Sequence, residues 1–137
     1  MDGPIPAAFI ADAITRHSSK TDIGAHAIFL GQVRGDTING KPVSGIEYSS
    51  YTEMADTVFH TIRETAFSKF NLTCMHIYHS AGLVKTGEVC LFVFVSSAHR
   101  PDAFDACRWI VEEIKEKVPV WGKELLADNS YEWKKDN

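Results

Sequence analysis

No apolar run in this chain approaches the roughly 20 residues needed to cross a bilayer. The longest, Val89 to Val95, is a fraction of that length. No charged start leads into an apolar core, so no secretory signal is expected. Cysteine is scarce. Cys74, Cys90 and Cys107 are an odd set at unremarkable spacing, which excludes a disulfide framework and reads as buried thiols in a reducing compartment. A soluble, cytoplasmic protein is the expectation, with no membrane contact. Basic excess is missing too. Lysine and arginine number 14 against 18 acidic residues, a net charge of −4. That balance argues against nucleic acid as a general partner, while leaving room for a local basic pocket. There is no Gly-x-Ser-x-Gly, phosphate loop or dinucleotide fingerprint, and no repeat, linker or low-complexity segment. What remains is an ordinary globular composition, 45% hydrophobic and 23% charged. At 137 residues, one domain spanning 1–137 is expected.

The chain is organised around residues 89–123. The run Val89 to Val95 is β-branched and aromatic and ends in Ser96 and Ser97, so it reads as a strand covered on both faces. Ala98, His99, Arg100, Pro101 and Asp102 follow. Proline suits the first turn of a helix, and an aspartate there complements the positive helix end. His99 and Arg100 therefore fall where a strand hands over to a helix N-terminus. Backbone N–H groups and two nitrogen donors could meet an anion there. Alternatively, Arg100 pairs with a surface acid and His99 caps a turn.

The rest of the chain supplies a coarse element order. Residues 5–17 carry Ile5, Phe9, Ile10, Ala13 and Ile14 at helical spacing after Pro4 and Pro6. Residues 25–34 read as a strand, GDTINGKP as a loop or hairpin turn, and residues 43–51 as a second strand pairing with the first. Residues 52–70 are the longest helical pattern, its stripe being Met54, Ala55, Val58, Ile62, Ala66 and Phe70. Leu72 to Tyr78 is a strand, and Thr86-Gly87-Glu88 a turn. Helix 102–117 has the stripe Ala103, Ala106, Cys107, Ile110 and Ile114. Tyr131 and Trp133 suggest a short edge strand, and Lys134 to Asn137 a frayed end. This order predicts an α+β fold, a two-layer, mostly antiparallel sheet with helices on one face and room for parallel crossovers.

Lys115 falls about 100° from the apolar stripe of the last helix. A lysine beside apolar side chains can lose hydration and act as base or nucleophile. Equally, Lys115 and Lys117 are cations that favour the negative helix end, and periodicity does not choose. Trp121 reads as core. Cys74 and His76 share one strand face and His79 takes the other, so the three do not converge and no metal is expected. His26 and His60 have no evident partners.

Three stretches carry a family resemblance: Phe29-Leu30-Gly31-Gln32-Val33-Arg34, Ser97-Ala98-His99-Arg100, and Lys115 followed by Val118-Pro119-Val120-Trp121-Gly122-Lys123-Glu124. With Tyr51 to Met54-Ala55 and Gly87-Glu88, they resemble the large, catalytic subunit of molybdopterin synthase over about residues 5–133. The resemblance implies an α/β hammerhead fold and a homodimer within a heterotetramer. It implies as partner a small ubiquitin-like sulfur-carrier subunit whose C-terminal Gly-Gly bears a thiocarboxylate. The reaction implied is sulfur transfer to cyclic pyranopterin monophosphate, making the dithiolene of molybdopterin for molybdenum cofactor biosynthesis, with no cofactor of its own.

By motif, Lys115 matches the catalytic lysine of that family, and Arg34, His99 and Arg100 would hold phosphate and pterin. Gln32 and Val33 would lie at the substrate-binding strand end, and Gly122, Lys123 and Glu124 in a closing segment. Two positions depart from the family pattern. Gly122 stands where relatives often have the first of two lysines, leaving Lys123, and Ser80 stands where many have arginine. A basic residue lent across the dimer from the C-terminal region would be Lys134 or Lys135. The reading from another class is a non-catalytic dimeric module that binds a phosphorylated metabolite or a partner's tail.

Overall fold

The computed structural model describes residues 1–50 and 52–134. The chain runs α1 (Ala7–His17), β1 (Ala25–Gln32), β2 (Thr37–Ile38), β3 (Lys41–Ser50), α2 (Thr52–Lys69), β4 (Cys74–His79), β5 (Gly82–Lys85), β6 (Val89–Ser97), α3 (Arg100–Lys117), β7 (Val120–Leu126) and β8 (Tyr131–Trp133). The ladders between these strands are antiparallel and form two sheets. One has the order β1-β6-β4; in the other, β3 pairs with β2, β5 and β7, and β7 with β8.

The small sheet is built on β6. Its alternation sends Leu91, Val93 and Val95 to one face and Phe92 and Phe94 to the other, all fully buried. Two apolar faces need two covers. The stripe Ala103, Ala106, Cys107, Ile110 and Ile114 of α3 packs on the first face. Ile5, Phe9 and Ala13 pack on the second, where Phe9 meets Tyr78 edge-on at 4.8 Å. Helices thus lie on both faces of this sheet, a correction to the one-sided expectation.

Other expectations change as well. The strand at 41–50 pairs with β2, β5 and β7 and not with β1. Helices α2 and α3 carry the chain from one sheet to the other, so neither makes a parallel crossover within a sheet. β5 and β7 are strands beyond those expected from the sequence. Met54 and Trp121 lie outside the core, at 57% and 45% exposure. The GDTINGKP segment is the β2–β3 hairpin, turning at Asn39 and Gly40 with φ of 52° and 76°. Gly24 is needed where β1 begins, because a Cβ there would sit 2.2 Å from the Ala98 carbonyl oxygen. Tyr51 and Lys135 to Asn137 lie outside the described residues, so the expectations placed on them are not addressed. Among the described residues no helix is long and apolar enough to cross a membrane.

Candidate active site

The end of β1 and the start of β6 lie side by side, with Gly31 opposite Leu91 and Gln32 opposite Val89 across a bulge. Val33 is buried; its N–H donates to the Glu88 carbonyl and its own carbonyl accepts from Gly87. Arg34 therefore leaves this end on a short, backbone-anchored loop. Its Nε is 2.7 Å from Asp36 Oδ1, and the guanidinium side chain is largely exposed. Beneath the loop, the Cys90 thiol donates to the Gly31 carbonyl at 3.3 Å.

Against Cys90 stands Tyr48 of β3. Burial first, then a hydrogen bond and electrostatic coupling with Cys90, then the Glu124 charge raise its pKa, so it stays a neutral phenol. The Tyr48 ring meets the His79 ring edge-on, centroids 5.2 Å apart. His79 Nδ1 lies 2.7 Å from the Ser80 carbonyl oxygen, so Nδ1–H donates and Nε2 keeps its lone pair. Burial lowers the pKa of His79, the Ser80 hydrogen bond partly opposes this, and the charges of Lys115 and of the N-terminus lower it further. Lys115 is thus close enough for His79 to feel its charge. The lysine is exposed on the last turn of α3, whereas Lys117 pairs with Glu113 at 2.9 Å. Beside His79, the buried Ser80 hydroxyl has no hydrogen-bond partner among the described residues.

β7 crosses the same region. Gly122 lies opposite Tyr48 in the ladder. A Cβ at Gly122 would be 3.0 Å from Ile46 Cγ2 and 3.5 Å from both Tyr48 Cε1 and Lys134 Cβ. Only Ile46 would have to give way, by a few tenths of an ångström; the other two would be ordinary contacts. Glu124 shares the face of Gly122 and is buried. Lys123 points to the other face, its ammonium 4.2 Å from the centre of the Tyr131 ring. Lys134, whose N–H donates to the Gly122 carbonyl at 2.7 Å, runs directly alongside.

His99 and Arg100 are elsewhere. His99 is the N-cap of α3, its carbonyl accepting from the Ser97 hydroxyl, and both side chains are exposed. Ser97 pairs with Ala25, the far end of β1 from Gln32. Eight strand residues at about 3.3 Å each separate the two ends. Within one chain, then, Gln32, Val33, Arg34, Lys115, Gly122 and Glu124 gather toward one end of the small sheet, and His99 and Arg100 occupy the opposite end. Tyr48, His79 and Cys90 are the residues that sequence reasoning missed as a group. They come from β3, β4 and β6, and their meeting depends on strand register that no local pattern reveals. A cavity of about 430 Å³ between β1 and α3, lined by His26, Phe29, Phe104, Cys107, Arg108 and Glu112 among others, holds none of the expected site residues.

Known proteins share this sequence and this fold. The MoaE protein family matches residues 5–117. A molybdopterin synthase catalytic subunit from Emericella nidulans is 36% identical over 88% of the chain, which spans 62% of that relative's length. One from Pyrococcus abyssi is 38% identical over 89% of the chain and 81% of its own length. Among solved structures, molybdopterin synthase from Staphylococcus aureus superimposes with a TM-score of 0.84 at 30% identity, covering 96% of this chain and 92% of that one. A complex of subunits 1 and 2 of molybdopterin-converting factor from Helicobacter pylori shares the fold with a TM-score of 0.84 at 20% identity, over 100% and 89% of the two chains. The protein belongs to the MoaE family.

Proposed function

We propose that this chain is the catalytic subunit of a molybdopterin synthase, a transferase of molybdenum cofactor biosynthesis. It moves sulfur from the thiocarboxylated Gly-Gly terminus of a small ubiquitin-like subunit onto cyclic pyranopterin monophosphate. The observation that carries the reading is the Lys115 end of the molecule. An exposed amine there lies within electrostatic reach of a half-buried, neutral histidine, beside the Arg34 loop and the Gly122–Glu124 strand.

The chemistry suits this arrangement. The thiocarboxylate sulfur attacks a pterin carbon, a C–S bond forms, and water then cleaves the acyl–sulfur bond and returns the carrier's carboxylate. The displaced oxygen must leave protonated. Lys115 delivers that proton, and His79 Nε2 exchanges protons with the lysine. Arg34 and Arg100 bind the phosphate by charge-assisted hydrogen bonds, and His99 meets the pterin. Gly-Gly is fit to thread a narrow approach because it has no side chains. The stem of Lys134 lies against Gly122, which supports Lys134 as the cation in place of the lysine that relatives often carry at that position. Lys123, turned to Tyr131, stiffens β7 and β8.

A site needing both ends of one sheet requires a second copy. β1 is an edge strand with Ile28 and Leu30 exposed, and Phe104 of α3 is 65% exposed nearby. Two such edges paired antiparallel about a twofold axis exchange ends. Arg34 and Lys115 of one protomer then face His99 and Arg100 of the partner subunit. The direct test is Lys115→Ala, assayed for conversion of the cyclic pterin with thiocarboxylated partner supplied. Product formation should vanish while the fold, read by circular dichroism, stays intact; normal turnover would defeat the assignment.

A further inference from the structure

The face of the small sheet opposite α3 carries a second cluster, unconnected with the Lys115 end. Alternation along β4 turns Cys74 and His76 to this face. His79 takes the other face, as the sequence suggested, so the three-residue group first considered does not form. The third member comes from α1. His17, the last residue of that helix, is buried and brings its Nε2 to 3.1 Å from His76 Nε2. One donor atom from each of His17, Cys74 and His76 lies within 4.8 Å of the others. Cys74 is buried and His76 half-buried.

The geometry points to a binding site for a zinc-class divalent ion formed by His17, Cys74 and His76. His17 is already oriented for it. Its Nδ1 is 2.7 Å from the Ala13 carbonyl, so Nδ1–H donates there and the Nε2 lone pair faces the cluster. A metal-bound imidazole is ordinarily held in this way through its other nitrogen. Two ligands on one tetrahedral zinc at about 2.0–2.1 Å stand about 3.3 Å apart, close to the observed nitrogen separation. Cys74 Sγ already attracts a cation, the Lys20 ammonium at 3.0 Å. Lys20 is exposed on a flexible stem and can swing aside. Two neutral imidazoles and one thiolate suit zinc, and three protein donors leave a fourth position for water. His26 stands behind His17, ring centroids 6.4 Å apart, with Nδ1 on the Ser96 hydroxyl at 2.7 Å. A bound ion would bolt the C-terminal end of α1 to β4, a tie that the shared hydrogen bond between His17 and His76 alone makes more weakly.

Cobalt titrated into chelator-treated full chain tests this, because a thiolate on tetrahedral cobalt gives a near-ultraviolet charge-transfer band. The expected result is saturation at one ion per chain, the band present, and its loss when zinc is added. Cys74→Ser should abolish the band, and Cys107→Ser, which changes another buried thiol, should retain it. His17→Gln should weaken zinc binding at least about tenfold. His76→Gln gives the same reading should the His17 variant fail to fold. Zinc should raise the thermal midpoint of the parent chain and leave that of Cys74→Ser unmoved. Absence of stoichiometric binding, or a band that survives Cys74→Ser, would overturn the site and leave the two histidines as a hydrogen-bonded pair.

Discussion

His79 shows how one half-buried side chain ties stability to the proposed chemistry. Its folded pKa lies below the ordinary 6.5, mainly through burial. The unfolded chain therefore takes up a proton that the folded chain resists. The stability held in neutral His79 is fully present above about pH 6.5 and is lost as pH falls from there toward the lower folded value. Thermal unfolding at pH 7.5 and 5.5 should show the parent chain losing more stability on acidification than His79→Gln; equal losses would contradict the burial argument. Arg34 and Arg100 are exposed, so removing them should spare the fold. Arg34→Ala and Arg100→Ala should each weaken binding of the cyclic pterin by about 1.5–3 kcal/mol, measured by titration calorimetry. Unchanged affinity in both would remove the phosphate role. At this scale the motifs singled out Lys115, Arg34, His99 and Arg100, and the structure places the first two at one end of β1 and the last two at the other. The sequence was silent on Tyr48 and Cys90, because a lone tyrosine and a lone cysteine on separate strands signal nothing until their register is known. His26 looked partnerless for the same reason, since Ser96 lies 70 residues away.

Helix α3 was the most readable element. Its apolar stripe, proline start and flanking lysines all point to one orientation, and each stripe residue is buried as the spacing predicted. Ile110 sits fully buried at the centre of that stripe. Ile110→Ala should cost about 2–5 kcal/mol in urea unfolding, with the midpoint lowered and the slope unchanged. A loss below about 1 kcal/mol would mean that the α3 contact is not the main cover of β6. Strands β5 and β7 escaped notice for physical reasons. β5 is four residues long and starts at a glycine with positive φ. β7 follows Pro119 and contains Gly122, features that locally argue for a loop. Both strands exist because β3 offers two edges with hydrogen bonds to fill, a tertiary cause invisible in a short window. The two covers of β6, by contrast, could have been anticipated. A run apolar on both alternating faces already excludes helices on one side alone.

The whole molecule sets the question that one chain leaves open. The small sheet separates the Arg34 and Lys115 end from the His99 and Arg100 end by the full length of β1. The proposed function groups these residues by motif, and nothing in the spacing of the motifs tells that one chain keeps them apart. Mixed dimers test the resulting claim most directly. Lys115→Ala chains alone should be inactive, and Arg100→Ala chains alone should turn over poorly at low substrate. Co-refolded in equal amounts, random pairing makes half the dimers mixed, and each mixed dimer regains one site with every residue intact. Recovery to about a quarter of parental activity at low substrate is expected, well above either variant alone. Activity no higher than the average of the two separate variants would contradict a site shared across the dimer.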